Sequence, residues 1–260
     1  MTAFTTEFVA TPDGALECLC VNRQADPARG AFVLLHGIQG TASAWSEVAP
    51  RLGGERTVLM PNMRGRGRSP APEDPGAYTL EHFAADLHAV IAAVPGPVTL
   101  VGWSMGVLVA LTLLARHGAH GLDGLVLASG TARPAGEAVW FHAMSAADIA
   151  EEARDRATRL GLVACAAPVA VAGAWASVRM ADLRPALAGI RLPTLVLHGE
   201  QDDQCPLAHG RLIAAAIPDA ALEIWPDTGH NPMARDPQRF AQAVLRLYGA
   251  TRPDIVSAIH

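Results

Sequence analysis

The chain contains no lysine: all 20 of its basic residues are arginine. A mechanism that needs a lysine amine, such as a Schiff base, is therefore excluded. Charged residues make up only 17% of the 260 positions, against about 25% in an average soluble domain, and the formal net charge is −5. A nucleic-acid surface needs an excess of positive charge, so none is expected as a partner. The four cysteines (Cys18, Cys20, Cys165 and Cys205) form no CxxC pair and no finger spacing. They read as buried or semi-buried thiols suited to a reducing cytoplasm. Residues 1–10 lack both the basic and the long apolar parts of a signal peptide. No HExxH or comparable ligand cluster is present, so no metal is expected.

Apolar residues, by contrast, are half of the chain. That excludes intrinsic disorder and permits a core without disulfide staples. Residues 98–115 run without a charge and approach the length of a membrane span. Pro95-Gly96-Pro97 precedes that run, and Gly102 and Gly106 interrupt it. Its first part is β-branched and its second rich in Leu and Ala, as expected of a buried strand leading into a buried helix. Strand-like runs recur at 4–10, 16–21, 31–35, 57–60, 98–101, 125–128, 194–197 and 222–225. Pro12-Asp13-Gly14 between the first two predicts an antiparallel hairpin. From Ala31 onward strands alternate with helical patterns at 44–52, 80–94, 105–117, 207–217 and 237–247. This order predicts a parallel sheet covered on both faces. Between Thr131 and Arg191 the alternation stops, and an Ala-rich helical insertion is expected.

The strand at 98–101 ends in Gly102-Trp103-Ser104-Met105-Gly106 and leads into a helix. GxSxG between strand and helix is a nucleophile turn: the glycines allow close approach and the serine hydroxyl projects above the sheet. With this motif and the order of elements from Ala31 to Tyr248, the chain resembles a compact α/β-hydrolase-fold serine hydrolase of the carboxylesterase and enol-lactonase type. The resemblance implies a mostly parallel, eight-stranded sheet flanked by helices. It also implies a core over 1–130 and 190–260, with a helical cap over 131–189. The triad order would be Ser, Asp, His. His198-Gly199-Glu200-Gln201-Asp202-Asp203 then supplies Asp202 as the acid, with Asp203 and Glu200 as alternatives, and Gly229-His230 supplies His230 as the base. The loop His36-Gly37-Ile38-Gln39-Gly40 resembles the family's HGxxG segment, which implies oxyanion donors on the amides of Ile38 and Met105. His36 is expected to shape that loop. Residues 61–69 match a fourth family loop, D-x-R-G-x-G-x-S, in which Asn62 replaces the usual acid and Arg64 and Ser69 are expected to be structural. Val107 replaces a small residue and is expected to tighten packing.

Trp140, Phe141 and Met144 of the insertion, with Trp103 beside the serine, are the expected substrate-binding residues. Leu160, Val163, Val169 and Trp175 extend the apolar character of the lid; Trp45, Arg133 and His142 are weaker candidates. The expected function is hydrolysis of a small carboxylic ester, thioester or lactone through an acyl-enzyme, without a cofactor. The same triad would also serve a C–C hydrolase, a lyase or a non-catalytic receptor.

Overall fold

The computed structural model describes residues 4–54, 56–134, 137–159 and 164–251. Its strands are β1 (Thr5–Thr11), β2 (Gly14–Val21), β3 (Ala31–Leu35), β4 (Thr57–Pro61), β5 (Val98–Trp103), β6 (Leu122–Ala128), β7 (Thr194–Gly199) and β8 (Ala220–Trp225). Its helices are α1 (Ala49–Leu52), α2 (Leu80–Ala92), α3 (Met105–His117), α4 (Ala146–Arg159), α5 (Pro168–Val178), α6 (Arg184–Leu187), α7 (Leu207–Ala216), α8 (Pro232–Arg235) and α9 (Pro237–Thr251).

The strands form one 8-stranded sheet in the order β1-β2-β4-β3-β5-β6-β7-β8. β1 and β2 form the expected hairpin, and β2 also lies antiparallel to β4. From β4 to β8 every pairing is parallel. Alternate side chains feed two cores, as the period of a strand requires. In β3, Ala31, Val33 and Leu35 join the layer under α2 and α3, while Phe32 and Leu34 join the layer under α1 and α9. After β3 the chain crosses first to β4 on one side and then to β5 on the other. This reversal opens a crevice at the carboxyl ends of β3 and β5, the place where open α/β sheets bind ligands.

The uncharged run 98–115 divides at Ser104 into β5 and α3. Among the described residues no helix is long and apolar enough to cross a membrane. The helix expected at 44–52 is instead a 3-10 turn, Ala42–Trp45, followed by the short α1. Pro50 lacks the N–H that a continuous helix would need there, and it starts a new helix instead. Between β6 and β7 the described residues form α4, α5 and α6. Leu160, Val163 and residues 252–260, which include the tail beyond α9, lie outside the described residues. Cys18, Cys20 and Cys205 are buried, and burial pushes the Cys18 thiol up to about 12. Cys165 departs from the expected burial: it is exposed in the segment before α5.

Candidate active site

β5 is held in register by β3 and β6, with Leu35 opposite Gly102 and Ala128 opposite Trp103. The next residue, Ser104, turns sharply at φ 57°, ψ −117°. Such a positive φ strains any residue with a Cβ, so the surrounding packing must enforce it. That packing depends on glycine. A Cβ on Gly102 would lie 2.6 Å from the Gly106 carbonyl oxygen, and one on Gly106 would lie 2.8 Å from that of Leu35. Val107, just beyond, fills the space beside Gly130, as expected from its bulk.

The hydroxyl of Ser104 lies 2.9 Å from Nε2 of His230, which follows β8. Nδ1 of His230 lies 3.0 Å from each carboxylate oxygen of Asp202, which follows β7. A carboxylate only accepts, so Nδ1 carries the ring proton and Nε2 presents a lone pair to the serine. Asp202 is aimed by two backbone amides: Gln204 and Cys205 each donate to Oδ1 at 2.9 Å. Burial raises the Asp202 carboxyl, but the hydrogen bond and charge of His230 outweigh it and hold the group below its ordinary range. A second histidine, His198, is fully buried; its Nε2 donates to the Cys205 carbonyl at 2.7 Å and lies 3.4 Å from Asp202 Oδ2. Asp203 and Glu200, the alternative acids, are exposed. Trp103 ties His230 to β5 by donating Nε1–H to the His230 carbonyl at 2.8 Å.

β3 delivers the loop His36–Gly40 to the same edge. Met63 N–H donates to His36 Nε2 at 3.2 Å, so Nδ1 is the protonated nitrogen and donates to the Gly37 carbonyl at 2.9 Å. That carbonyl belongs to the same peptide unit as the Ile38 N–H, and a bond accepted on one side polarises the donor on the other. Burial and the nearby Arg66 charge push His36 down to about 3, which keeps it neutral. Among the described residues, no protein acceptor engages the N–H of Ile38 or of Met105. Met105 is the first residue of α3, where helix N–H groups have no partner within the helix.

In the arginine loop after β4, Asn62 stands where the family pattern has an acid. Glu17 of β2 supplies a carboxylate instead. It accepts from Asn62 Nδ2 at 2.9 Å and from Arg68 Nε at 2.7 Å. Asn62 Oδ1 takes the Ala42 N–H at 2.8 Å, and Ser69 donates to the Asn62 carbonyl at 2.5 Å. Arg64 is clamped by Asp86 through bonds of 2.7 and 2.8 Å.

A cavity of about 400 Å³ opens over Ser104 and His230, and its walls include Ile38, Gln39, Thr41, Ser43, Trp103 and Gln204. Of the four residues expected to bind substrate, only Trp103 lines it. Trp140 and Phe141 are buried against Trp175 at ring separations of 5.5 and 5.9 Å, packing the cap. Met144 is 75% exposed on the outer surface of the cap. Trp45 packs under the sheet against Phe240, and Arg133 faces Asp182 in a separate crevice. The polar wall of Thr41, Ser43 and Gln204 was missed by sequence reasoning. The first two directly follow the HGxxG loop, a local signal, whereas Gln204 is brought in by the turn after Asp202.

Residues 32–243 match the sequence profile of the alpha/beta hydrolase family. The chain is 30% identical over 245 residues to a pimeloyl-[acyl-carrier protein] methyl ester esterase of Aromatoleum aromaticum, covering 81% of this chain and 94% of the relative. It is 29% identical over 241 residues to the same-named enzyme of Chromobacterium violaceum, covering 82% and 91%. A hydrolase structure from Pseudomonas aeruginosa superposes with a TM-score of 0.78 at 30% identity, covering 94% of this chain and 98% of that one. An esterase from Exiguobacterium antarcticum shares the fold with a TM-score of 0.79 at 22% identity, over 94% and 99%. A profile that spans most of the chain, together with these likenesses, places the protein in the alpha/beta hydrolase family.

Proposed function

We propose that this chain hydrolyses a carboxylic ester through an acyl-enzyme, with Ser104 as nucleophile, His230 as general base and acid, and Asp202 as its orienting carboxylate. The observation that carries the reading is the convergence of Ser104, His230 and Asp202 at 2.9 and 3.0 Å from distant parts of the chain. Ser104 Oγ gives its proton to His230 Nε2 and attacks the carbonyl carbon. The carbonyl oxygen becomes an oxyanion received by the N–H groups of Ile38 and Met105, each worth about 3–4 kcal/mol in the transition state. Collapse expels the alcohol, which takes the proton from His230. Water then repeats the sequence on the acyl-enzyme and releases the acid. Throughout, Asp202 stabilises the imidazolium and fixes its tautomer.

The cavity volume of about 400 Å³ suits an acyl group of modest size. The curated relatives are named for a methyl ester of an acyl chain, which supports a short-alkyl ester as the scissile group. The test is a panel of methyl and aryl esters of C2–C8 acids (about eight carbons at most, by cavity size) with wild type and Ser104→Ala. Turnover and fluorophosphonate labelling should both disappear in the variant. Wild-type protein that is inert to all esters, or labelling that survives in Ser104→Ala, would overturn the proposal.

A further inference from the structure

The sequence Arg64-Gly65-Arg66-Gly67-Arg68 places alternate arginines on one loop, and their fates differ. Arg64 pairs with Asp86 and Arg68 with Glu17. Arg66 lies between them, only 1% exposed, and among the described residues it faces no carboxylate. Its Nη2 donates to the Ile38 carbonyl at 2.5 Å and its Nη1 to the Arg64 carbonyl at 2.7 Å. Its guanidinium sits 5.2 Å from the centre of the Phe83 ring. Burial pushes Arg66 down to about 10, still charged at neutral pH. Keeping an unpaired cation in the interior is costly, and an apolar side chain of similar volume would fold at least as well.

We propose that Arg66 is a positioning residue for the oxyanion hole: its buried guanidinium pins the Ile38 peptide from behind and leaves an uncancelled positive charge next to the residue whose N–H receives the oxyanion. The proposal rests on the ester-hydrolase reading above. His36 fixes the Gly37–Ile38 peptide through the Gly37 carbonyl, and Arg66 fixes the following one through the Ile38 carbonyl. With both carbonyls drawn away from the cavity, the intervening N–H is held toward it. Preorganised donors and charge in a water-poor site act mainly on the transition state, where negative charge first appears. A carboxylate partner would cancel that charge, whereas the two carbonyls leave it in place.

The test compares wild type, Arg66→Met and Arg66→Lys on one aryl ester, with inhibition by a phenylboronic acid and thermal melting. Acylation and deacylation both pass through an oxyanion, so kcat reports the effect whichever step limits. In Arg66→Met, kcat should fall about 10- to 100-fold, less than for outright loss of a donor, with KM within about threefold. Boronate affinity should fall in parallel while the melting temperature stays level or rises. Arg66→Lys keeps the charge but reaches one carbonyl at most, so its loss should be smaller than that of Met. A folded Met variant with kcat within about twofold of wild type, or a drop in melting temperature with boronate affinity unchanged, overturns the proposal. If the Met variant does not fold, the Lys variant decides: reduced kcat with weakened boronate binding supports it, and wild-type kcat overturns it. Wild type inert to every ester and unlabelled by fluorophosphonate would remove the esterase reading and this proposal together. Active wild type with indifferent variants removes only the role of Arg66.

Discussion

Replacing Asp202 by Asn tests the charge and tautomer logic of the site without removing an atom. Asp202 Oδ1 receives the Gln204 and Cys205 amides, Oδ2 faces His198, and His230 Nδ1 lies 3.0 Å from both oxygens. In Asp202→Asn the amide oxygen should take the Oδ1 place, because two N–H donors already point there. The NH2 group then occupies the Oδ2 place and donates toward His230 Nδ1. His230 must accept at Nδ1 and carry its proton on Nε2, so Ser104 meets a donor where it needs an acceptor. The equivalent exchange in a serine-protease triad costs about 10⁴ in kcat, or about 5–6 kcal/mol. The same loss is expected here, with the fold intact because the two backbone bonds persist. Asp203→Asn is the control: Asp203 is exposed at the wall of the cavity and, among the described residues, bonds Gln204 Nε2 at 3.3 Å and not His230, so the tautomer of His230 is untouched and kcat should fall far less than in Asp202→Asn. The assay is steady-state hydrolysis of an aryl ester at pH 8, with circular dichroism to verify folding. An Asp202→Asn enzyme keeping more than about a tenth of wild-type kcat would refute the reasoning. So would an Asp203→Asn enzyme that alone is inactive.

Acid should weaken the fold through its buried histidines. His36, lowered to about 3, and His198 and His209, lowered by burial, are neutral in the folded state but gain protons near pH 6.5 when unfolded. Their contribution is therefore intact above pH 6.5 and is lost as the pH falls toward the folded values, with His36 alone accounting for about 5 kcal/mol at the limit. The urea midpoint should drop between pH 6.5 and 4 and drop less in His36→Gln; a flat profile in wild type would contradict this. Arg64→Met strands the buried Asp86 carboxylate and should cost about 3–5 kcal/mol in urea unfolding, most of it recovered by adding Asp86→Leu. Additive losses in the double variant would show that the pair is not the source.

Much of the site was legible because its instructions are short-range. The strand, the Gly102–Gly106 turn and the α3 helix occupy consecutive residues, so hydrophobic patterning and glycine spacing suffice to describe them. The same holds for the His36–Gly40 loop after β3 and for His230 after β8. The helix expected over 44–52 failed for a local reason too: Pro50 and the Thr41 cap favour a 3-10 turn and a restart. What patterning could not distinguish was the purpose of an apolar side chain in the insertion. Trp140 and Phe141 bury themselves against Trp175, and nothing in their spacing separates packing from a pocket wall.

The sequence alone, then, marked most of the segments that become strands and helices, and the short loops that carry Ser104, Asp202, His230 and the amides of Ile38 and Met105. Only the tertiary structure decided what each loop meets. Glu17 of β2 takes the place of the acid absent at position 62, and Gln204 comes to line the cavity. Arg66 finds a carbonyl of the His36–Gly40 loop, whereas Arg64 and Arg68 find carboxylates. The physical reason is range. Backbone preference and hydrophobic period act over a few residues, whereas the partner of a buried polar group is chosen by the sheet order that brings distant loops to one edge.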